Sequence, residues 1–199
     1  MDIVEIIGAI IGLLYLLAEV KAKNVVWLLG ILMPVFYCYI YFTSGLFANA
    51  GINIYYICAS VYGLLEWKGI IAAKSQPSPS KEAQPSSQPS SIKCFPRKWS
   101  VPLIAVIGIA TCVLTMILSL LDESHQPLLD GFTAAMNIVG MWMLAKKYYQ
   151  EWIIWIVVDP FTIVLCALSG LWPTAIMYCI YLVVSIIGYK KWKQAYLHP

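Results

Sequence analysis

The chain contains 199 residues, of which 61% are hydrophobic and only 12% are charged, with a formal net charge of +3 and a mean hydropathy of +0.77. Soluble domains carry about 25% charged residues, so this composition excludes a globule with a water-facing surface. The apolar surface must face lipid instead. The lipid bilayer is therefore the first expected partner, and no nucleic-acid partner is expected.

Seven apolar stretches follow one another along the chain, each long enough to form a transmembrane helix. A bilayer core takes about 20 residues of helix, and we predict spans at about 3–20, 25–43, 50–67, 100–121, 129–145, 152–169 and 172–189. The N-terminus lacks the basic region of a signal peptide, so the first stretch is expected to remain as a helix. The predicted fold class is an all-α membrane protein of seven transmembrane helices.

The basic residues all fall on one side of the membrane when seven spans are assumed. All 13 lysine and arginine residues lie in alternate loops and in the C-terminal tail, whereas the opposite side carries acidic residues and no basic one. The positive-inside rule then places the N-terminus outside and the C-terminus in the cytoplasm of a multi-pass protein of the bacterial inner membrane. Glu19 and Glu66 lie near lysines at cytoplasmic helix ends, so both are interpreted as interfacial.

A polar segment separates the third and fourth spans. Residues 75–91 read SQPSPSKEAQPSSQPSS, and a stretch so rich in Pro, Ser and Gln buries too little apolar surface to fold. We predict a disordered cytosolic linker at 71–98, after a first three-helix repeat at 1–70. A connecting helix at 99–121 and a second three-helix repeat at 122–199 follow it.

An internal repeat relates the two ends of the chain at an offset of 125 residues. The matched pairs include Trp27 and Trp152, Gly45 and Gly170, Gly63 and Gly188, and Trp67 and Trp192. Three helices plus one connecting helix make an even number, so both copies cross the membrane in the same direction. This predicts a 3+1+3 parallel-repeat arrangement of the SWEET type, with the substrate between the halves. Pro34 and Pro160 lie within the second helix of each copy, where a kink can be a hinge or static.

Asp159 is a carboxylate near the middle of the sixth span, where an unpaired charge is costly. No lysine or arginine lies inside any predicted span, so Asp159 is expected to be protonated, hydrogen-bonded or paired with a cationic substrate. Trp152 and Trp155 precede it at spacings that put all three side chains on one helical face. Indole rings beside a carboxylate suit a flat heteroaromatic cation. The alternatives are a capping role for Asp159 beside Pro160 and an interfacial belt for the tryptophans.

Four further side chains within the spans are candidates for substrate binding. Asn137 and Met141 lie one turn apart in the fifth span, and Asn53 and Tyr56 lie in the third. An amide can bind a substrate hydroxyl group, and interhelical hydrogen bonding and packing are the alternative roles. The six cysteines form no CxxC pair and the two histidines lie outside the spans, so no metal site, cofactor or catalytic residue is expected.

Several motifs resemble those of a known family. The segment WIIWIVVD at 152–159 matches the WxxWxxxN/D pattern of the PnuC vitamin transporters, which include carriers of nicotinamide riboside and relatives for thiamine (PnuT) and riboflavin. Also similar to family sequences are GMWMLAKKYYQEW at 140–152, GYKKW at 188–192 and YGLLEW at 62–67. The nicotinamide riboside carriers tend to have Asn and Gln where this chain has Asp159 and Met141. Nicotinamide riboside and thiamine therefore both stay open, since each carries a fixed ring cation.

The resemblance implies uptake of a water-soluble vitamin by facilitated diffusion, with a cytosolic vitamin kinase as the partner that traps the product by phosphorylation. Trp155 and Asp159 would hold the ring, Trp152 would close the stack, and Asn137 would bind polar substituents. Family analogy also suggests a homo-oligomer, a trimer. The alternatives are a SWEET-like sugar facilitator and a non-transporting membrane scaffold. An enzyme is not expected, because the sequence shows no nucleophile, metal site or nucleotide-binding motif.

Overall fold

Seven long helices make up most of the chain that the structure describes. The structure is a computed structural model, and it describes residues 3–43, 47–70, 92–121, 126–168, 170 and 172–198. The helices are α1 (Ile3–Val20), α2 (Val25–Thr43), α3 (Phe47–Trp67), α4 (Ser100–Leu121), α5 (Pro127–Ala145), α6 (Glu151–Leu168) and α7 (Trp172–Leu197). These ranges contain no β-strand. The prediction of seven helices and of the all-α class is confirmed.

The helix boundaries follow the apolar stretches to within a few residues, except at the end of α7. This helix continues to Leu197, whereas the apolar stretch predicted an end near 189. The additional residues, KKWKQAYL, include lysine, glutamine and alanine, which favour helix in water. The helix therefore continues beyond its apolar part. The predicted linker at 75–91 lies outside the described residues.

The outward surfaces of the helices are apolar. Within the described residues, four segments are long and apolar enough to cross a membrane, at Arg97–Leu121, Pro127–Ala145, Glu151–Leu168 and Thr174–Leu197. α4 has no buried side chain, and Ile104 and Leu120 on it are 69% and 78% exposed. Aliphatic groups so exposed along a whole helix are stable in lipid and not in water. The chain is a multi-pass membrane protein.

The stretch just before α4 is anchored to the loop between α5 and α6. The backbone N–H of Lys93 donates to the carbonyl of Lys147 over 2.8 Å, and the N–H of Tyr149 donates to the carbonyl of Lys93 over 3.1 Å. The backbone N–H of Phe95 donates to Oε1 of Gln150 over 2.9 Å. This stretch, which the prediction included in the linker, is thus hydrogen-bonded to the helix bundle.

Two tryptophan–glycine contacts recur at the offset of 125 residues. A Cβ atom added to Gly63 would collide with the Trp27 ring, and one added to Gly188 would lie 2.6 Å from the Trp152 ring. Both rings are fully buried. Each ring lies directly on the backbone of α3 or α7, and such close approach in a membrane bundle requires a small residue.

Two further tryptophans satisfy helix ends in the opposite half of the chain. The indole N–H of Trp67 on α3 donates to the carbonyl of Ala145 at the end of α5 over 3.1 Å. The indole N–H of Trp192 on α7 donates to the carbonyl of Val20 at the end of α1 over 3.2 Å. Carbonyls at helix ends lack partners within their own helix. Both donor and acceptor are displaced by 125 residues between the two contacts.

Gly63 is expected to tolerate no side chain. The change Gly63→Ala puts a methyl group against the Trp27 ring, and such overpacking costs about 1–3 kcal/mol. We expect a lower melting temperature for the purified variant in detergent. The control is Gly108→Ala on α4, where an added Cβ meets nothing within 4 Å and the gain in helix propensity is the same. Equal melting temperatures of the two variants would contradict this packing.

Candidate functional site

A cavity of about 350 Å³ lies between the helices. α1, α2 and α3 line one side and α5, α6 and α7 line the other, whereas no described residue of α4 takes part. The lining consists of Ile11, Gly12, Tyr15, Leu16, Glu19, Leu29, Gly30, Met33, Pro34, Tyr56, Asn137, Met141, Trp155, Asp159, Tyr178, Tyr181 and Ser185. An apolar and aromatic wall with a few polar groups is typical of small-molecule sites.

Five of the seven side chains predicted to bind substrate lie in this cavity, and the structure brings them together. They are Tyr56, Asn137, Met141, Trp155 and Asp159. Asn53 is outside the lining; it is 8% exposed and buried within the bundle, three residues before Tyr56 on α3. A step of three residues rotates a side chain well away from its neighbour's direction, so only one of the two faces the cavity.

Asp159 lies in the wall that α6 contributes to the cavity. Its side chain is 3% exposed, and its Oδ2 accepts a long hydrogen bond of 3.4 Å from the hydroxyl of Ser185 on α7. The lining contains no lysine or arginine. The carboxyl group is therefore positioned to pair with a cationic group of a bound molecule.

Trp155 lies one helical turn before Asp159, and two contacts hold its ring. A Cβ atom added to Gly140 on α5 would lie 2.7 Å from the ring, so the indole occupies the space that this glycine leaves. The indole N–H donates to Oε1 of Glu19 on α1 over 3.0 Å. The ring is fixed between α5 and α1, with Asp159 on the same helix.

The first half of the chain contains the reciprocal aromatic–glycine pair. Tyr15 on α1 packs against Gly30 on α2, with its ring 3.5 Å from where a Cβ would lie. At the offset of 125 residues, Tyr15 corresponds to Gly140 and Gly30 corresponds to Trp155. The aromatic residue and the glycine have thus exchanged helices, and the two halves contribute different rings to an asymmetric cavity.

Tyrosines hold the two predicted site residues of α5. The side chain of Asn137 is hydrogen-bonded to Tyr56, and the hydroxyl of Tyr15 donates to Sδ of Met141 over 3.5 Å. A carboxamide has two N–H donors and two lone pairs. One bond to Tyr56 leaves Asn137 further capacity to bind a polar group of a ligand.

Trp152 does not reach the cavity, which corrects the expectation that it closes an aromatic stack. Its side chain is 0% exposed, and its ring packs on Gly188 and, edge-on at 5.8 Å between centroids, on Trp192. The same burial rules out the interfacial belt that was its alternative. The helical spacing was correct, but the glycine on α7 lets the ring sink into the interface between α6 and α7.

Glu19 is a cavity residue that the sequence interpretation wrongly placed at the membrane interface. Its side chain is 2% exposed and lines the cavity beside Trp155. The residues Gly12, Tyr15 and Glu19 repeat along α1 the three- and seven-residue spacing of the motif on α6, and this pattern could have identified it. Glu66, interpreted in the same way, does lie at a helix end, where it pairs with Lys146 at 3.1 Å.

Apolar helices around a cavity with aromatic rings and carboxyl groups define the class of multi-pass membrane transporters. The chain belongs to the nicotinamide mononucleotide transporter family, whose family model matches residues 2–194.

Known proteins of this family resemble the chain over most of its length. The nicotinamide riboside transporter PnuC of Escherichia coli (strain K12) is 20% identical over 213 residues, covering 95% of this chain and 84% of the relative. The nicotinamide riboside transporter PnuC of Neisseria mucosa is 27% identical over 197 residues, covering 94% of this chain and 71% of the relative. A crystal structure of the vitamin B3 transporter PnuC matches with a TM-score of 0.70 at 25% identity, covering 95% of this chain and 80% of that one. The resemblance to the PnuC family is confirmed.

Proposed function

We propose that the protein takes up a water-soluble vitamin with a cationic heteroaromatic ring, of the nicotinamide riboside or thiamine class, by facilitated diffusion across the inner membrane. The observation that carries the proposal is the buried carboxyl group of Asp159, one turn from Trp155 in a lining without lysine or arginine. A carboxylate in a membrane interior needs a partner, and the ring cation of the cargo supplies one. The names of the relatives favour nicotinamide riboside.

The size and lining of the cavity suit such a molecule. The volume of about 350 Å³ lies within the range of small-molecule sites. Trp155 offers a fixed face for stacking and cation–π attraction. Asn137, Tyr181 and Ser185 line the same cavity and can bind hydroxyl groups of the cargo.

We assign the chain to a 3+1+3 parallel-repeat arrangement, with repeats at 1–70 and 122–199 and a connecting helix at 99–121. The reciprocal bonds of Trp67 and Trp192 across the halves support it. So does the packing of α1 against α7 and of α3 against α5, which pairs the last helix of each copy with the first helix of the other. Rocking of the halves about the cavity would then give alternating access.

The direction of transport follows from orientation and from trapping. The distribution of the 13 basic residues supports an outside N-terminus and a cytoplasmic C-terminus, with the linker at 71–98 in the cytosol. Facilitated diffusion moves a cargo only down its gradient, so a cytosolic vitamin kinase would maintain uptake by phosphorylating it. Assembly as a trimer stays a prediction from the family resemblance.

A binding screen by calorimetry tests the cargo class on the purified protein. We expect nicotinamide riboside or thiamine to bind, whereas riboflavin, which lacks a fixed ring cation, and glucose should neither bind nor compete. Proteoliposomes should take up the labelled cation without an energy source. Competition by glucose would favour the sugar facilitator, and binding without uptake would favour the non-transporting scaffold.

A further inference from the structure

Three buried carboxyl groups form a connected set that reaches beyond the cavity wall. Glu19 and Asp159 line the cavity at 2% and 3% exposure, and Glu151, the first residue of α6, is 0% exposed. Glu151 interacts electrostatically with Glu19, and Glu19 interacts with Asp159. Glu151 therefore lies behind Glu19, outside the lining but in electrical contact with it.

The other groups that face this set are phenols and an indole. Glu19 faces Tyr15 on its own helix, the indole N–H of Trp155 on α6, and Tyr181 on α7. Glu151 also faces Tyr15. Within the described part of the chain, neither glutamate forms an ion pair with a lysine or arginine.

The lysines nearest in sequence have other contacts. Lys146 pairs with Glu66 at 3.1 Å, and the ammonium of Lys147 lies 4.3 Å from the centroid of the Trp67 ring. The two lysines that follow α1 are exposed. The negative charge of the glutamates is thus not neutralised by these bases.

The hydrogen bonding of the two glutamates is too sparse for two negative charges. Both carboxyl oxygens of Glu151 are buried without a hydrogen-bond partner among the described residues, and Glu19 accepts one bond, from Trp155. A second like charge beside a buried carboxylate is strongly disfavoured. The N-terminus of α6 favours a negative charge at Glu151 by only about 0.3–1 kcal/mol, which does not offset two buried charges.

We infer that Glu19 and Glu151 together hold one proton in the empty carrier and release it to water when a cation occupies the cavity. This inference rests on the proposed function, because it requires a cationic cargo. One carboxyl O–H bond breaks, the proton leaves to solvent, and the fixed charge of the cargo balances the carboxylate that remains. Binding is then an exchange of one cation for one proton.

The exchange makes binding pH-dependent in a defined direction. Because the proton is a product of binding, a lower proton concentration favours the complex, and Kd falls as pH rises. The limit for one released proton is about tenfold per pH unit. Acidification would correspondingly promote release of the cargo.

The test is calorimetric titration of the full chain with nicotinamide riboside, or with thiamine if the screen selects it. The titration is repeated at one pH in phosphate, HEPES and Tris, whose ionisation enthalpies differ. The slope of the observed enthalpy against ionisation enthalpy gives the protons exchanged, and we expect release of about one. Glu151→Gln should still bind cation but release close to none, while Glu66→Gln, altered outside the cavity, should release as much as the parent protein.

The outcomes separate this inference from the proposed function. Normal binding by the parent protein with a slope of zero overturns the proton exchange and leaves the cargo assignment standing. Absence of binding overturns the cargo assignment itself. Full release from Glu151→Gln overturns the role of the pair. Infrared difference spectra of the parent protein need no variant: loss of a protonated-carboxyl band on cation binding supports the exchange, and an unchanged band contradicts it.

Discussion

Replacing Asp159 by alanine is expected to weaken binding of the cationic vitamin at least about tenfold, which corresponds to a loss of about 1.4 kcal/mol. The carboxyl is 3% exposed in a lining without a basic residue, so solvent screens its attraction for a cation less than at a surface. Exposed ion pairs contribute about 0–1 kcal/mol, and a buried pair with the cargo should exceed that. Calorimetric Kd and uptake into proteoliposomes both measure the loss.

Two further variants separate charge from geometry. Asp159→Asn keeps the size and the capacity to accept a bond from Ser185 but removes the charge, and we expect most of the loss to remain. Asp130→Ala makes the same change on α5 outside the cavity lining and should bind as the parent protein does. Native affinity and uptake in Asp159→Asn would show that the cargo charge does not select this site.

Replacing Trp155 by alanine is likewise expected to reduce affinity at least about tenfold. The change removes the stacking face and the cation–π attraction, which contribute about 0.5–1.5 and 0.5–2 kcal/mol respectively. It also removes the N–H group that donates to Glu19 over 3.0 Å. The measurement is Kd from calorimetric titration, with the melting temperature recorded to show that the variant is folded.

The matched control for this prediction is Trp142→Ala on α5. Trp142 is 40% exposed and does not line the cavity, so its loss should leave Kd unchanged. Trp155→Phe retains an aromatic face without the N–H group and should fall between the parent protein and the alanine variant. An alanine variant that is folded and binds with native affinity would remove Trp155 from the site.

The sequence was sufficient to predict the helices because each span is a property of a local stretch. Length and apolarity determine whether a segment can cross a bilayer, and every predicted span became a helix, from α1 at Ile3–Val20 to α7 at Trp172–Leu197. Only the end of α7 was missed, since hydropathy does not report a helix that continues into water. The motif at 152–159 was also local, and it sufficed to indicate the family.

The site was predicted in part, because spacing within one helix gives direction but not the neighbour. Trp152 and Trp155 lie near the same face of α6, yet Trp152 packs on Gly188 outside the cavity while Trp155 lies on Gly140 within it. Which glycine lies opposite each ring depends on how α5 and α7 pack against α6. That packing involves residues far apart in the chain, and no local pattern specifies it.

By itself, then, the amino-acid order determined the membrane class, the seven helices, the family resemblance and five of the seven lining residues proposed for the site. Only the tertiary structure decided that Glu19 faces the cavity, since a glutamate near a lysine at a helix end looks interfacial from sequence. Its hydrogen bond to Trp155 spans 136 positions. Contacts over that range arise from the packing of whole helices, where a glycine or a ring on one helix determines which side chain of another enters the cavity.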